Sequence, residues 1–328
     1  MIPLKEIRLD KNELPFTPPL SIQDAIKDIH EELHRYTPQE KVNELKDLLS
    51  EYTNVPKDSI IIRPGSDILI KELIFLFTQN RKMIISDPTF SVIQNATRKT
   101  SSSILKVKLS SPEFHFPTEI IQEELNEPTL IFLDNPNNPT GKLIITKEEI
   151  KSLLDNENVV LFIDEAYYEF SNYSVASLVK RYSNLGVLRT LSKSFGIAGA
   201  GSGYLLAGED IKDKLSGLEV MLPYPSVESS IVALQNQTYF KDLRKQIIAE
   251  KSRIKNRIEA LGINVYSSST NFLLLNTKIP YIAKKLQERG IYIYDASNYF
   301  KPGYIRVSIG TKEENESFIT NLKEIIEE

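Results

Sequence analysis

The chain has 328 residues, 41% of them apolar, with 40 basic and 44 acidic side chains and a formal charge of −4. That length admits a large α/β domain plus a smaller one, and the interspersed, nearly balanced charge argues against nucleic acid or an anionic membrane as partner. The absence of cysteine excludes disulfides, thiolate nucleophiles and thiolate-bound metals, and no apolar run reaches the roughly 18–20 residues that span a bilayer. The opening MIPLKEIRLDKNELPF lacks the basic-then-apolar order of a signal peptide, so the expectation is a cytoplasmic protein. Abundant Ile, Lys and Glu, with three Met, suits a thermophile.

Residues 1–19 read as an extended, proline-rich arm. SIQDAIKDIHEELHRY (21–36) predicts a helix capped by Ser21, with Ile22, Ala25, Ile26 and Ile29 as its apolar stripe. VNELKDLLSEYT predicts a second helix. An alternation follows: strand SIIIRP, helix SDILIKELIFLFTQ, strand KMIISDP, helix PTFSVIQNATRKT, strand SILKVKL, strand TLIFLDNP, helix TKEEIKSLLDNE, then strands VVLFIDEAY and LGVLRTLS. Runs such as LIFLD and VVLFID are apolar on both faces, as in a parallel sheet covered by helices, so the large unit is doubly wound α/β. From about residue 226 the pattern changes. A long charged helix over roughly 228–262 leads to INVYSS, strand NFLLLNT, helix PYIAKKLQER, strands GIYIYDA and YIRVSIG, and a final helix from about 312, a smaller α+β unit.

One motif points away from the rest. HEELH (30–34) matches H-E-x-x-H, which on a helix places His30 and His34 on one face with Glu31 as base beside zinc. The remaining histidine is His115, so a third ligand has to be an unspecified carboxylate, and the alternative is a chance match on a charged helix end.

Four strand-to-turn segments carry a different chemistry. RPGSDILIKELI (63–74) puts Gly65 and Ser66 at a helix N-terminus, where unpaired amides bind phosphate; Asp67 can instead cap that turn. DNPNNPTG (134–141) follows a buried strand, as ligand loops do at the carboxyl edge of a parallel sheet, and Asn138 can donate to a phenolate oxygen. FIDEAYYEF ends a buried strand on Asp164, which is costly without a partner such as a protonated pyridine nitrogen; Tyr167, one turn on, can also reach the phenolate. TLSKSFG follows another strand, and a poorly solvated Lys193 there has a lowered pKa and can form a Schiff base, with Ser192 and Ser194 available to a phosphate. The glycines of GAGSGY lead into a strand rather than a helix, so they are not a dinucleotide fingerprint.

In this order the segments resemble the fold type I pyridoxal-phosphate aminotransferases, and most closely the histidinol-phosphate aminotransferase group. LDKNELPF is similar to the group's arm motif, DPTF to its ring-stacking segment, NPNNPTG, DEAY and TLSK to its cofactor motifs, and YIRVSIGT to its carboxylate-binding strand. The resemblance implies a mainly parallel, seven-stranded type of sheet in the large domain, and pyridoxal 5′-phosphate as cofactor. It implies three regions: an arm and helix at 1–35, a large cofactor domain at 36–225 and a small domain at 226–328. It also implies a homodimer with shared active sites.

Carried over by position, Lys193 holds the cofactor, Asp164 faces the pyridine nitrogen, Asn138 and Tyr167 bond the ring oxygen, and Phe90 stacks on the ring. Gly65, Ser66, Asp67 and Ser192 lie at the phosphate, Tyr36 reaches the phosphate in the neighbouring subunit, and Arg306 grips the substrate carboxylate with Asn271 and Asn12 nearby. The implied reaction moves an amino group from an amino acid or histidinol phosphate to a 2-oxo acid, expected to be 2-oxoglutarate.

Two positions depart from the group. Gly201 stands where it has a phosphate-binding arginine, for which Arg189 or Lys82 are the candidate substitutes. Tyr294 stands where it has a phosphate-reading arginine, leaving Tyr294, Tyr292 and Tyr224 to line the substrate pocket. An aromatic or broad-range aminotransferase, a threonine-phosphate decarboxylase-like enzyme and a non-catalytic descendant therefore stand as alternatives, with a zinc peptidase as the most distant.

Overall fold

The computed structural model describes residues 6–328, so the first five residues of the expected arm lie outside the described residues. Twelve strands are formed among these residues: β1 (Ile7–Leu9), β2 (Ile60–Arg63), β3 (Lys82–Asp87), β4 (Ile104–Lys108), β5 (Thr129–Asp134), β6 (Val159–Asp164), β7 (Leu185–Thr190), β8 (Gly203–Ala207), β9 (Asn264–Val265), β10 (Phe272–Asn276), β11 (Ile291–Asp295) and β12 (Tyr304–Ser308). They make a seven-stranded sheet in the order β2-β8-β7-β6-β5-β3-β4 and a five-stranded sheet in the order β1-β11-β12-β10-β9.

In the large sheet every residue of β5, β6 and β7 is buried, which is why these strands read as unbroken apolar runs. Leu130, Phe132 and Phe162 pack on one face with Leu69, Leu73 and Phe77 of the helix Ser66–Phe77. Ile131, Leu133, Leu161 and Ile163 pack on the other with Leu45, Leu49 and Ile231, from helices Gln39–Thr53 and Tyr224–Gln235. Each such side chain contributes about 1.5–3 kcal/mol on burial. Phe162 fits because its neighbour across the ladder is Gly186; a Cβ there would lie 2.5 Å from the Phe162 ring.

β8 is antiparallel to both of its neighbours. The segment 191–202 that precedes it contains no helix, and a parallel return needs a long crossover. The chain therefore turns back directly, and the lysine segment lies at the carboxyl edge of the sheet.

Three elements differ from the sequence reading. The helix expected over 21–36 starts at Leu20, after Pro19 with no side-chain cap, and ends at Asp28. A 3-10 turn, His30–Glu32, follows it. His30 and His34 donate through Nδ1 to the carbonyls of Lys27 and Glu31, and such local bonds compete with helix continuation. The single helix expected over 228–262 is two, Tyr224–Gln235 and Gln237–Glu259, parted at Asn236, whose side-chain amide donates to the Val232 carbonyl at 2.7 Å. The arm is not merely extended. Its β1 pairs in parallel with β11, Ile7 opposite Ile291, and Leu9 is buried in the core of the smaller sheet. Among the described residues no helix is long and apolar enough to cross a membrane.

Candidate active site

Parallel strands end on one edge of their sheet, and loops there form the ligand crevice. At that edge the ends of β5 and β6 lie in register, Asp134 opposite Asp164. A cavity of about 770 Å³ opens there, closed on its other side by the arm residues Asp10–Asn12, by Tyr294 and Arg306 of the smaller sheet and by Tyr299 of the loop between β11 and β12. Gly65, Ser66, Asp67, Phe90, Asn138, Asp164, Tyr167, Ser192 and Lys193 all line it, so the topology brings four sequence-distant turns to one place.

The two acids have different surroundings. Asp134 accepts bonds from Thr89 Oγ1 (2.8 Å), Asn137 Nδ2 (2.9 Å) and the amides of Phe90 (3.2 Å) and Asn138 (2.7 Å). It ties the Asn loop to the Phe90 turn, and burial raises its carboxyl to about 6. Asp164 accepts one bond, from the Ala166 amide at 3.0 Å. Burial, then the neighbouring Asp134 charge, raise it to about 7. A buried carboxyl this poorly satisfied, on a cavity wall, fits a cationic ring N–H as its missing partner.

Lys193 is half-buried and donates from Nζ to the Lys11 carbonyl at 2.9 Å. Burial, and next the positive charge of Arg306, lower its ammonium from 10.5 to about 8. An amine so placed is partly uncharged near neutrality, as a nucleophile toward a carbonyl carbon requires.

Above this pair the hydrogen bonds leave donors free. Asn138 Oδ1 accepts from Arg306 Nη1 at 2.6 Å, so its amide N–H group remains for an acceptor in the cavity. Tyr167 accepts from Asn12 Nδ2 at 2.9 Å, and burial raises its phenol to about 12, so it keeps a proton to donate. Both fit a ring oxygen that carries negative charge. Arg306 Nη2 donates to the Asp10 carbonyl, while Nε is buried with no partner among the described residues. Arg306 lines the cavity and its two bonds go to neutral oxygens, so its charge fits an anionic head group. Asn12, at φ +56°, is held by Ser308 and by Asn271, whose Nδ2 donates to the Asn12 carbonyl at 3.0 Å. Asn271 is absent from the cavity wall and acts on it through the arm.

The phosphate end rests on close backbone approach. A Cβ at Gly203 would lie 2.3 Å from the Ser66 amide nitrogen, and one at Gly201 would lie 2.4 Å from Ser192 Oγ and 2.8 Å from the Ile197 carbonyl. Both positions therefore exclude a side chain in this conformation, and an arginine at 201 has no room. Neither candidate substitute takes its place. Arg189 is buried on Glu165 (2.9 Å), on Ser174 and over the Tyr168 ring, and Lys82 pairs with Glu124 at the opposite end of β3. The first-turn amides of Ser66–Phe77, with Ser192 bonded to Thr190 at 3.0 Å, form a cradle of neutral donors.

Other expectations move. Ser194 is fully buried, against Glu169 rather than in the cavity, because the next residue, Phe195, is anchored on Tyr52. Tyr292 lies outside the cavity, bonded to Glu6 and stacked on Arg8, and Tyr224 also lies outside it. Tyr36 is 82% exposed and lines a separate groove. The helical face that a zinc reading of HEELH requires does not form. Sequence reasoning missed Asp134, although a strand-end aspartate followed by asparagines is a signal for a loop organiser. It also missed Tyr299, Asp10 and Lys11, which reach the cavity through a loop and the arm.

The sequence pattern of the family described as aminotransferase class I and II matches residues 5–322. A histidinol-phosphate aminotransferase of Sulfurisphaera tokodaii is 32% identical over 98% of this chain and 90% of its own length. That of Pyrococcus furiosus is 34% identical over 98% of this chain and 93% of its own. The fold is similar to the crystal structure of histidinol-phosphate aminotransferase from Sinorhizobium meliloti in complex with pyridoxal-5′-phosphate, with a TM-score of 0.87, coverage of 98% and 90%, and 23% identity.

Proposed function

Because the chain belongs to the class I and II aminotransferases, fold type I enzymes that work with pyridoxal 5′-phosphate, we propose that the cavity around Lys193 moves an amino group from an amino acid or from histidinol phosphate to a 2-oxo acid. One observation carries this reading. Lys193 and Asp164 line the same cavity, each with a single hydrogen bond to the backbone and neither in an ion pair among the described residues, and burial favours the neutral form of both.

Bound in this cavity, the cofactor supplies a ring that takes up the electron pair released when the substrate's Cα–H bond breaks. Lys193 Nζ would hold the cofactor through its aldehyde carbon. As a free amine, Lys193 would take the substrate's α-proton as general base and give it back as general acid. Asp164 would keep the ring nitrogen protonated, Asn138 and Tyr167 would donate to the ring oxygen, and Phe90 would pack against the ring. Gly65, Ser66, Asp67 and Ser192 surround the phosphate. Arg306, kept in place by the Asn138 side chain and the Asp10 carbonyl of the arm, orients the substrate head group, and Asn12 and Asn271 support that arm.

The working form is a cytoplasmic homodimer in this reading. The exposed Tyr36 serves the partner's phosphate rather than its own cavity. The test is a panel of amino donors with 2-oxo acids. The wild-type protein is expected to show a visible cofactor band and to yield an oxo acid without carbon dioxide. Lys193→Ala is expected to lose both band and turnover; turnover retained in that variant refutes the assignment, and release of carbon dioxide replaces transamination with decarboxylation.

A further inference from the structure

The cavity wall beside Arg306 is neutral and aromatic. Tyr294 lies directly across the ladder from Arg306, with its ring 4.4 Å from the guanidinium, and Phe272 lies 5.3 Å away. The loop after β11 brings the Tyr299 hydroxyl against Tyr294, and both rings are half-buried. Stacking of this kind fixes the guanidinium in place.

The charges that this protomer places on the rest of the wall are unfavourable to a second anion. Arg306 is the one arginine lining the cavity among the described residues. Of the two lysines, Lys193 is the reacting amine, and Lys11 sits on the exposed arm, where water screens its charge. Four carboxylates, Asp10, Asp67, Asp134 and Asp164, line the same space. A ligand with one anionic head group finds the guanidinium charge of Arg306, whose own partners are the neutral Asn138 side chain and the Asp10 carbonyl. A second anionic group would meet tyrosine rings and carboxylates, and would lose its hydration without a paired cation.

Resting on the aminotransferase reading, we infer that Tyr294 and Tyr299 restrict this enzyme to substrates with a single anionic head group and a neutral tail, preferentially a flat ring, in both halves of the reaction. The two hydroxyls give a ring nitrogen or phenol a hydrogen-bonding partner, and the two rings give it a face. An aromatic amino acid and histidinol phosphate share this chemistry, the first with a carboxylate head, the second with a phosphate head and an imidazole tail. Glutamate and 2-oxoglutarate do not share it. The acceptor is accordingly a monocarboxylic 2-oxo acid, in place of the 2-oxoglutarate that the family resemblance implies.

The test uses the cofactor-loaded wild-type protein in single-turnover reactions, followed by decay of the visible band. The amines are phenylalanine, tyrosine, histidinol phosphate, glutamate and aspartate. At least one of the first three is expected to react about 30-fold faster, or more, than either dicarboxylate. Histidinol phosphate ahead of phenylalanine assigns the phosphate head; the reverse order assigns the carboxylate. A second readout needs no turnover. Spectral titration is expected to show 3-phenylpropionate binding about tenfold more tightly than maleate, and Tyr294→Arg is expected to reverse that order. Glutamate reacting as fast as the ring-bearing amines, or maleate binding as tightly as 3-phenylpropionate, overturns the inference and leaves the aminotransferase reading standing. Loaded protein that reacts with none of the five amines overturns the aminotransferase reading, and the titration still decides whether the pocket prefers one anion.

Discussion

At pH 7.5, Lys193 of the cofactor-free protein is expected to carry a free amine in roughly a quarter of molecules, against about one in a thousand for an ordinary lysine. The difference follows from the fall from 10.5 to about 8, caused first by burial and then by the charge of Arg306. It corresponds to about 3 kcal/mol between the charged and neutral forms, an upper value because the half-buried side chain keeps the water of the cavity on one side. Only the neutral amine attacks an aldehyde, so the rate at which the cofactor-free protein takes up pyridoxal phosphate should rise with pH and level off above about 8. Arg306→Gln removes the second cause, and the midpoint should move upward toward 10.5 while burial still holds it below that value. The assay is stopped-flow absorbance at fixed ionic strength across pH 6–10.5. A wild-type rate still climbing above pH 10 would refute the argument that this cavity prepares the amine, and an Arg306→Gln midpoint equal to that of the wild type would remove the arginine from it.

Three further outcomes follow from the same geometry. In the cofactor-free protein Asp164 titrates near 7 instead of 3.8. The stability it contributes is therefore present below pH 3.8 and lost as pH rises through 7. Asp164→Asn should stabilise that form by ~2–4 kcal/mol at pH 8 and by nothing at pH 4, while weakening cofactor binding; urea unfolding at the two pH values checks this, and equal gains at both contradict it. Gly201→Ala places a Cβ 2.4 Å from Ser192 Oγ and 2.8 Å from the Ile197 carbonyl. Overpacking of about 1–3 kcal/mol at the phosphate cradle should weaken cofactor affinity at least tenfold by fluorescence titration, and unchanged affinity would mean the segment yields. Glu165→Ala leaves the buried Arg189 guanidinium without its carboxylate. The expected loss is about 3–5 kcal/mol in urea; a loss below 1 kcal/mol would show that the pair is not a structural anchor.

Much of the large sheet was legible because burial on both faces leaves an unmistakable mark: LIFLD and VVLFID are apolar at consecutive positions, with the chemistry placed at the first polar residue after each run. The direction of β8 was not legible, since its residues suit either orientation and only the helix-free 191–202 segment decides it. Asn236 was missed for a related reason: an asparagine inside an amphipathic stretch is tolerated or disruptive according to where its amide finds a carbonyl. Side-chain destinations were hardest. Arg189 and Lys82 are equally plausible phosphate partners on paper, yet a buried glutamate captures one and the opposite sheet end removes the other.

Residue order alone determined the class of chemistry here, because strand-end Asp164 and Lys193 and the Asn138 turn must share one edge once their strands are parallel. Tertiary structure decided the electrostatics. Which acid is satisfied and which keeps a single hydrogen bond depends on how the Phe90 and Asn138 turns fold onto the strand ends, position 201 admits no side chain because Ser192 and Ile197 close on it, and the arm and the smaller sheet place Asp10, Tyr294 and Arg306 on the cavity wall. Burial and close approach are properties of the packed molecule and do not show in the order of residues.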